Sequence, residues 1–376
     1  MEKGSRIQIL DGLRVLAILM VMIFHFYARY QGVYYSYDFK VPTVFIHGRL
    51  GVQLFFIISG FVITLTLSKS STFLEFMKKR FIRLIPGMIV CATFTFFFFW
   101  LFDKDNLMER SKNIYNLLLS YTFLSPRLVN DIFGTDLKYI DGSYWSIWTE
   151  IQFYIVGGIT YFLSPKNFLR NYLMVVAISF PICYIFTSPH FSNFIPKLVG
   201  PNAAAQAKEI FTIFNVFQYN CWFLAGIVLN KMYFNKKHDP KLLLLFSGIF
   251  IFQMLVLSNR YITAICIFFY VIFLLFLFKP KYISFLSNKI LSVIGVASYS
   301  IYLIHEYIGF LIMNRIGSSF HSWNWIIPIF LIILSTLFGV FSYKYLEMPF
   351  GTQLRKVSLP DSPLRPKDEP IVSTLP

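Results

Sequence analysis

Residues Gln8 to Tyr27 read QILDGLRVLAILMVMIFHFY. Crossing a bilayer as a helix takes about 20 apolar residues, and this run is long enough, yet it carries Asp11, Arg14 and His25. An ionisable side chain at the centre of a membrane helix costs roughly 2.5–3.5 kcal/mol on insertion scales, so such residues mark functional sites by default. His25 follows Arg14 by eleven positions. At about 100° per residue that is three turns plus about 20°, which puts both side chains on one face, roughly 16 Å apart. Asp11 lies one turn before Arg14 on nearly the same face and is predicted to pair with it. The rest of the chain is read as a bundle built around that face.

Composition points the same way. The 376 residues are 56% hydrophobic and 14% charged, with a mean hydropathy of +0.61. Repeated apolar runs of about twenty residues then mean an all-α, polytopic membrane helix bundle rather than a soluble domain. Aromatic residues make up 20%, with 45 Phe, which suits surface in contact with membrane lipid. The net charge of +16 is read as lysines and arginines holding loops on the cytoplasmic side, not as a nucleic-acid surface. Cys91, Cys183, Cys221 and Cys266 sit in or beside apolar runs without metal-ligand spacing, so they read as core thiols and no metal is expected. Lys3 and Arg6 precede the first run as in a signal peptide, but no small-residue cleavage site follows, so the run is read as a retained span.

About ten spans are predicted, at 9–28, 50–67, 84–102, 146–163, 171–187, 210–230, 241–258, 261–278, 290–313 and 324–345. The apolar stretch 113–124 is too short to cross and reads as a re-entrant or interfacial helix. Lys69, Lys78, Lys79, Arg80, Arg83, Lys166, Arg170, Lys231, Lys236, Lys237, Lys241, Lys279, Lys281, Lys289 and the bases of the tail fall on the side of the N-terminus. The positive-inside rule then places both termini in the cytoplasm. The long outer connections 103–145 and 188–209 are read as binding loops or disordered. Residues 1–350 form the membrane domain, and the polar, Pro-rich 351–376 reads as an unstructured cytoplasmic tail. No appended soluble domain and no internal repeat is read.

Several constellations carry chemistry. Gly48, Gly51, Ser59 and Gly60 in the second span are read as helix-packing residues. Arg80 and Arg83, three apart beside Lys79, form either a topology anchor or a phosphate-binding fork. Ser146, Glu150 and Tyr154 recur every four residues and give the fourth span a polar stripe. Glu150 and His25 fall near one depth, where a carboxylate–imidazole pair transfers protons; a structural contact between helices is the alternative. In the ninth span Ser298, Tyr302 and His305 share a side, with His305 read as a supporting group more than as a catalyst, and Glu306 follows it. Glu347 is expected to pair with Arg14, Arg80 or Arg83.

Taken together, LDGLRVLAILMVMIFHF, GVQLFFIISGFVI, FMKKRFIRLIP, SYWSIWTEIQFY, GVASYSIYLIH and YLEMPF resemble, in order, the motifs of the acyltransferase-3 family of integral membrane acyltransferases. The resemblance runs from residue 7 to about 350. It implies transfer of an acyl group, usually acetyl from acetyl-CoA, to a carbohydrate hydroxyl of lipopolysaccharide, exopolysaccharide, capsule, peptidoglycan or a small glycoside, in the bacterial inner membrane. It implies His25 as the essential histidine with Arg14 its signature partner, Arg80 and Arg83 as the CoA-holding motif, and Glu150 as the acidic residue of the fourth span. Some members add a C-terminal SGNH-type domain, which is not read in this sequence, and Glu306 after the YLIH segment is a departure. Two other readings stay open: a transporter of a lipid-linked sugar or organic anion, and an acyltransferase acting on a cytosolic glycoside.

Overall fold

The computed structural model describes residues 7–358 except 34, 235–238 and 258. Lys3, Arg6, Lys236, Lys237 and the tail from 359 lie outside the described residues. The helices are α1 Gln8–Ile23, α2 Gly51–Ser68, α3 Phe73–Phe102, α4 Ile114–Thr122, α5 Pro126–Phe133, α6 Trp145–Leu163, α7 Phe168–Thr187, α8 Ile195–Val199, α9 Pro201–Ile213, α10 Val216–Phe234, α11 Pro240–Leu257, α12 Arg260–Phe278, α13 Lys289–Ile316, α14 Ile326–Ser342 and α15 Met348–Ser358. The chain is an all-α bundle, and among the described residues nine helical segments are long and apolar enough to cross a membrane. The expected fourth span, α6, is not among them; it has 19 residues, about 28 Å by helical rise. Its buried Ser146, Thr149, Gln152 and Tyr154 lower its apolarity.

Helix ends differ from the sequence reading where local chemistry decides them. The third span begins eleven residues before the expected 84. Thr72 caps α3 by accepting from the Glu75 amide at 3.2 Å, and the Glu75 carboxylate accepts from the Ser71 amide at 2.7 Å. This is close to the capping box of a Thr-x-x-Glu start, with the carboxylate taking the amide one residue before the cap. Arg80 and Arg83 therefore stand inside a 30-residue helix, not in a loop before it. The 188–209 connection is mostly helical, because α9 takes in its Ala-rich half, and 103–145 holds α4 and α5. The stretch after Phe350, expected to be unstructured, is helical through Ser358; it continues α14 through a π turn at Tyr343–Glu347 and packs on α3.

Close helix approach rests on small residues, since in lipid it is packing rather than the hydrophobic effect that holds helices together. A Cβ on Gly60 would lie 2.2 Å from the Phe223 carbonyl oxygen, and one on Gly226 would lie 2.0 Å from that of Ile57. Those two glycines let α2 and α10 touch backbone to backbone. Helices α1 and α13 run side by side in the same direction. A Cβ on Gly295 would meet the Asp11 carbonyl oxygen at 2.2 Å, and one on Gly309 would meet the Phe26 ring at 2.3 Å. This parallel pair brings His25 and His305 to one depth, about 25 Å by helical rise above the start of α1.

Candidate active site

His25 stands in a π turn, Phe24–Arg29, that ends the first helix. A π turn breaks the usual ladder and is frequent at functional sites. Here the Phe26 carbonyl accepts hydrogen bonds from the Tyr35 hydroxyl at 2.5 Å and the Tyr37 hydroxyl at 2.7 Å. The His25 ring reaches α13, where its Nδ1 lies 2.8 Å from Nε2 of His305. Its Nε2 lies 3.5 Å from Oε2 of Glu306. His305 is wholly buried, and its Nδ1 is 2.8 Å from the Tyr302 carbonyl oxygen. The His25 side chain keeps 11% of its surface accessible, so the pair is not sealed.

A shell of polar groups surrounds Glu306. The Tyr30 hydroxyl donates to its Oε1 at 2.5 Å. Gly142 backs on to the same carboxylate, and a Cβ there would lie 2.8 Å from Oε1. Asp141 accepts from the Ser143 amide at 2.9 Å, the Ser143 hydroxyl at 2.6 Å and the Tyr307 amide at 3.0 Å. Burial and the adjacent Glu306 carboxylate push the Asp141 carboxyl up to about 7, against three hydrogen bonds that favour its ionised form. Arg110 donates to the Tyr307 hydroxyl at 3.3 Å and connects this shell to the 103–145 segment.

The polar stripe of α6 runs from the histidines toward the N-terminal end of the bundle. The Ser146 and Tyr302 hydroxyls are 2.7 Å apart. Glu150 accepts from the Ser59 hydroxyl at 2.6 Å. The Tyr154 hydroxyl accepts from Arg80 at 3.2 Å, and the guanidinium lies 4.9 Å from its ring centre. From Ser146 to Tyr154 is about 12 Å along the helix. Arg80 is buried, its Nε has no partner, and its other nitrogen donates to Thr66 at 3.4 Å. Arg83 is accessible, within electrostatic reach of Arg80, Arg14, Tyr154 and Glu150. Among the described residues no carboxylate comes within ion-pair distance of Arg80 or Arg83. The predicted Asp11–Arg14 pair forms at 2.7 Å, and Asp11 also accepts from Ser292 at 3.1 Å.

The structure thus brings Arg14, Arg80, Arg83, Glu150 and Tyr154 into one cluster, and His25, His305, Tyr302 and Ser146 into another. Three sequence expectations change. Glu150 does not orient His25; it faces Ser59 and the arginines, and Glu306 stands beside the imidazole. Lys79 is held by Glu75 at 2.6 Å and the Lys69 carbonyl at 2.6 Å, as a partner of the helix start. Glu347 accepts from the Ser300 and Ser342 hydroxyls, both at 2.6 Å, rather than from an arginine. Ser59, read as a packing residue, is a hydrogen-bond donor, whereas its neighbours Gly48, Gly51 and Gly60 do pack against backbone. Sequence reasoning passed over Glu306, Asp141 and Tyr30 as site residues. The available signal was a further intramembrane acid, Glu306, adjacent to a histidine. Among the described residues no cluster of three or more His, Cys, Asp or Glu is placed to hold a metal.

Polar groups buried at two depths of one helical bundle define a multi-pass membrane protein with an imidazole–carboxylate centre and a cationic cluster some turns away. The model of the acyltransferase domain family, Acyl_transf_3, matches residues 7–345, and the chain belongs to that family. The O-acetyl transferase of Shigella phage Sf6 is 30% identical to it over 45% of this chain and 51% of its own length. The O-acetyltransferase OatA of Staphylococcus aureus is 26% identical over 90% of this chain and 56% of its own. The chain spans about half the length of these curated relatives. No solved structure matches it.

Proposed function

We propose that this chain is a membrane O-acyltransferase that moves an acyl group, acetyl in the simplest case, from acyl-CoA to a hydroxyl of a cell-envelope or exported carbohydrate. The observation that carries the reading is the joint placement of two clusters on one polar stripe. One is an imidazole with proton-handling neighbours. The other is a pair of guanidiniums with no carboxylate at ion-pair distance among the described residues. Family membership and the O-acetyltransferase relatives support the same class.

Arg80 and Arg83 suit the phosphates of the donor: neither is in a direct ion pair among the described residues, Arg80 has an orphaned Nε, and Arg83 is accessible. The positive-inside bias supports a cytoplasmic setting for that end, with the donor entering there and its acyl arm running along the α6 stripe. At the histidines the acceptor O–H bond breaks as the oxygen attacks the thioester carbonyl. His25 takes the proton as general base, the C–S bond breaks, and the proton passes to the leaving thiolate. Transfer through an acyl-histidine is the covalent variant of the same chemistry. His25 lies toward the end that carries the 103–145 and 188–209 segments, which favours an acceptor arriving from outside the cell.

The test is CoA release from acetyl-CoA by purified protein in lipid, with and without an envelope-glycan extract. Release that needs the protein and is abolished in His25→Ala, while that variant still inserts and purifies as a folded species, supports the reading. Movement of a sugar or organic anion without CoA consumption would instead make it a transporter. An unchanged envelope with an acylated cytosolic glycoside would move the acceptor to the other side.

A further inference from the structure

The hydrogen-bond chain through the two histidines determines which nitrogen of His25 reacts. A backbone carbonyl can only accept, so the 2.8 Å contact between Nδ1 of His305 and the Tyr302 carbonyl puts a proton on that Nδ1. In a neutral ring the other nitrogen is then an acceptor. Nε2 of His305 is therefore bare, and the proton in its 2.8 Å contact with His25 belongs to Nδ1 of His25. A doubly protonated His305 would leave a cation wholly buried, facing backbone carbonyls of its own helix and the His25 imidazole, with no carboxylate bonded to it among the described residues. Burial of a charge on those terms is costly, so the neutral ring is the favoured state.

We propose that His305 is a positioning residue that fixes the Nδ1–H tautomer of His25, so that Nε2 is the reactive nitrogen and the N–H it gains is formed facing Glu306. The inference rests on the reading of His25 as the base. The 3.5 Å between Nε2 and Glu306 is longer than a hydrogen bond of ordinary length, so Nε2 is not committed to that carboxylate. An acceptor hydroxyl presented to Nε2 loses its proton to that nitrogen. The imidazolium so formed has the Glu306 carboxyl, anchored by Tyr30, on its new N–H side, and its proton then goes to the thiolate sulfur. His305 neither gains nor loses a proton through the cycle. Its part is to hold the tautomer, which for a ring nitrogen is set by the bond the other nitrogen makes. In the acyl-histidine variant the same Nε2 carries the acyl group.

The direct test is nitrogen NMR of histidine-labelled protein in lipid. The wild-type chain should show a coupling between two histidine nitrogens across an N–H···N bond. The His25 side of that pair should be a protonated Nδ1, and its Nε2 should be unprotonated. A His25 ring protonated at Nε2 and bare at Nδ1 overturns the inference, and this measurement needs no variant to fold. In kinetics, His305→Ala should lower kcat by about 10²-fold with the donor KM within about twofold. His305→Gln, whose amide oxygen can accept from Nδ1–H, should recover most of that loss. An unchanged kcat in His305→Ala overturns the proposal, as does a loss shared equally by kcat and donor affinity that Gln does not relieve. Activity surviving in His25→Ala sinks the base assignment and leaves the tautomer result standing, so the two failures are distinguishable.

Discussion

Glu306 stands 3.5 Å from Nε2 of His25, whereas Glu150 is bonded to Ser59 on another helix. These two intramembrane acids therefore divide between the two ends of the polar stripe. Glu306 adjoins the group proposed for proton transfer, and Glu150 adjoins the arginines proposed to hold the donor. Each acid predicts a different kinetic signature.

Glu306→Gln should lower kcat by about tenfold to 10²-fold, the range for a group that supports acid–base chemistry, and should leave the donor KM little changed. Glu150→Gln removes a negative charge from the neighbourhood of Arg80 and Arg83 and should act on donor KM, lowering it, more than on kcat. Steady-state kinetics of the two variants side by side check this. The opposite pattern would return Glu150 to the imidazole.

Arg83 is accessible and has no carboxylate within ion-pair distance among the described residues, so its truncation costs no internal pair. A lost charge-assisted hydrogen bond to phosphate is worth about 1.5–3 kcal/mol. Arg83→Ala should therefore raise the donor KM about tenfold or more, and added salt should narrow the gap between variant and wild type. A KM equal to that of wild type removes the phosphate role.

Gly295 is where α13 meets α1 backbone to backbone. A methyl group there would fall 2.2 Å from the Asp11 carbonyl oxygen, which no side-chain rotation relieves. Gly295→Ala should cost about 1–3 kcal/mol, as overpacking usually does, seen as a lower midpoint of thermal unfolding in detergent. A midpoint equal to that of wild type would show that the helices separate without penalty.

Asp141 has its carboxyl pushed up by burial and by Glu306. A raised pKa means that the folded chain favours the protonated form. The stability it contributes is full below the ordinary value of 3.8 and is lost as pH rises toward about 7. Thermal midpoints measured across that window should fall with pH in the wild type. They should fall less steeply in Asp141→Asn, which does not titrate. The slope is the readout, because the Asn side chain also loses one of the three accepted hydrogen bonds and lowers the whole curve.

Much of this was legible in the linear chain. The apolar runs predicted a membrane bundle, because a segment of about twenty apolar residues has few stable alternatives in water. The Asp11–Arg14 pair and the Ser146–Glu150–Tyr154 stripe were readable because they are contacts or alignments within one helix, where spacing alone sets direction. Thr72 and Glu75 carry the true start of α3 by the same local logic, a signal that the reading of a span from 84 passed over.

What spacing could not supply was the partner of each polar group on a different helix. His25 and Glu150 have compatible depths, but depth along the axis leaves rotation and neighbour order open. Only the packing of α1 directly against α13, permitted by the glycines at 295 and 309, decided that His25 meets His305 and Glu306, and only the approach of α2 to α6 gave Glu150 to Ser59. The one-dimensional pattern determined which side chains had to be sheltered from lipid. The three-dimensional crossing of helices chose their partners, because hydrogen bonds depend on distances of a few ångströms between elements that the sequence places 91 residues apart for Ser59 and Glu150 and 280 apart for His25 and His305.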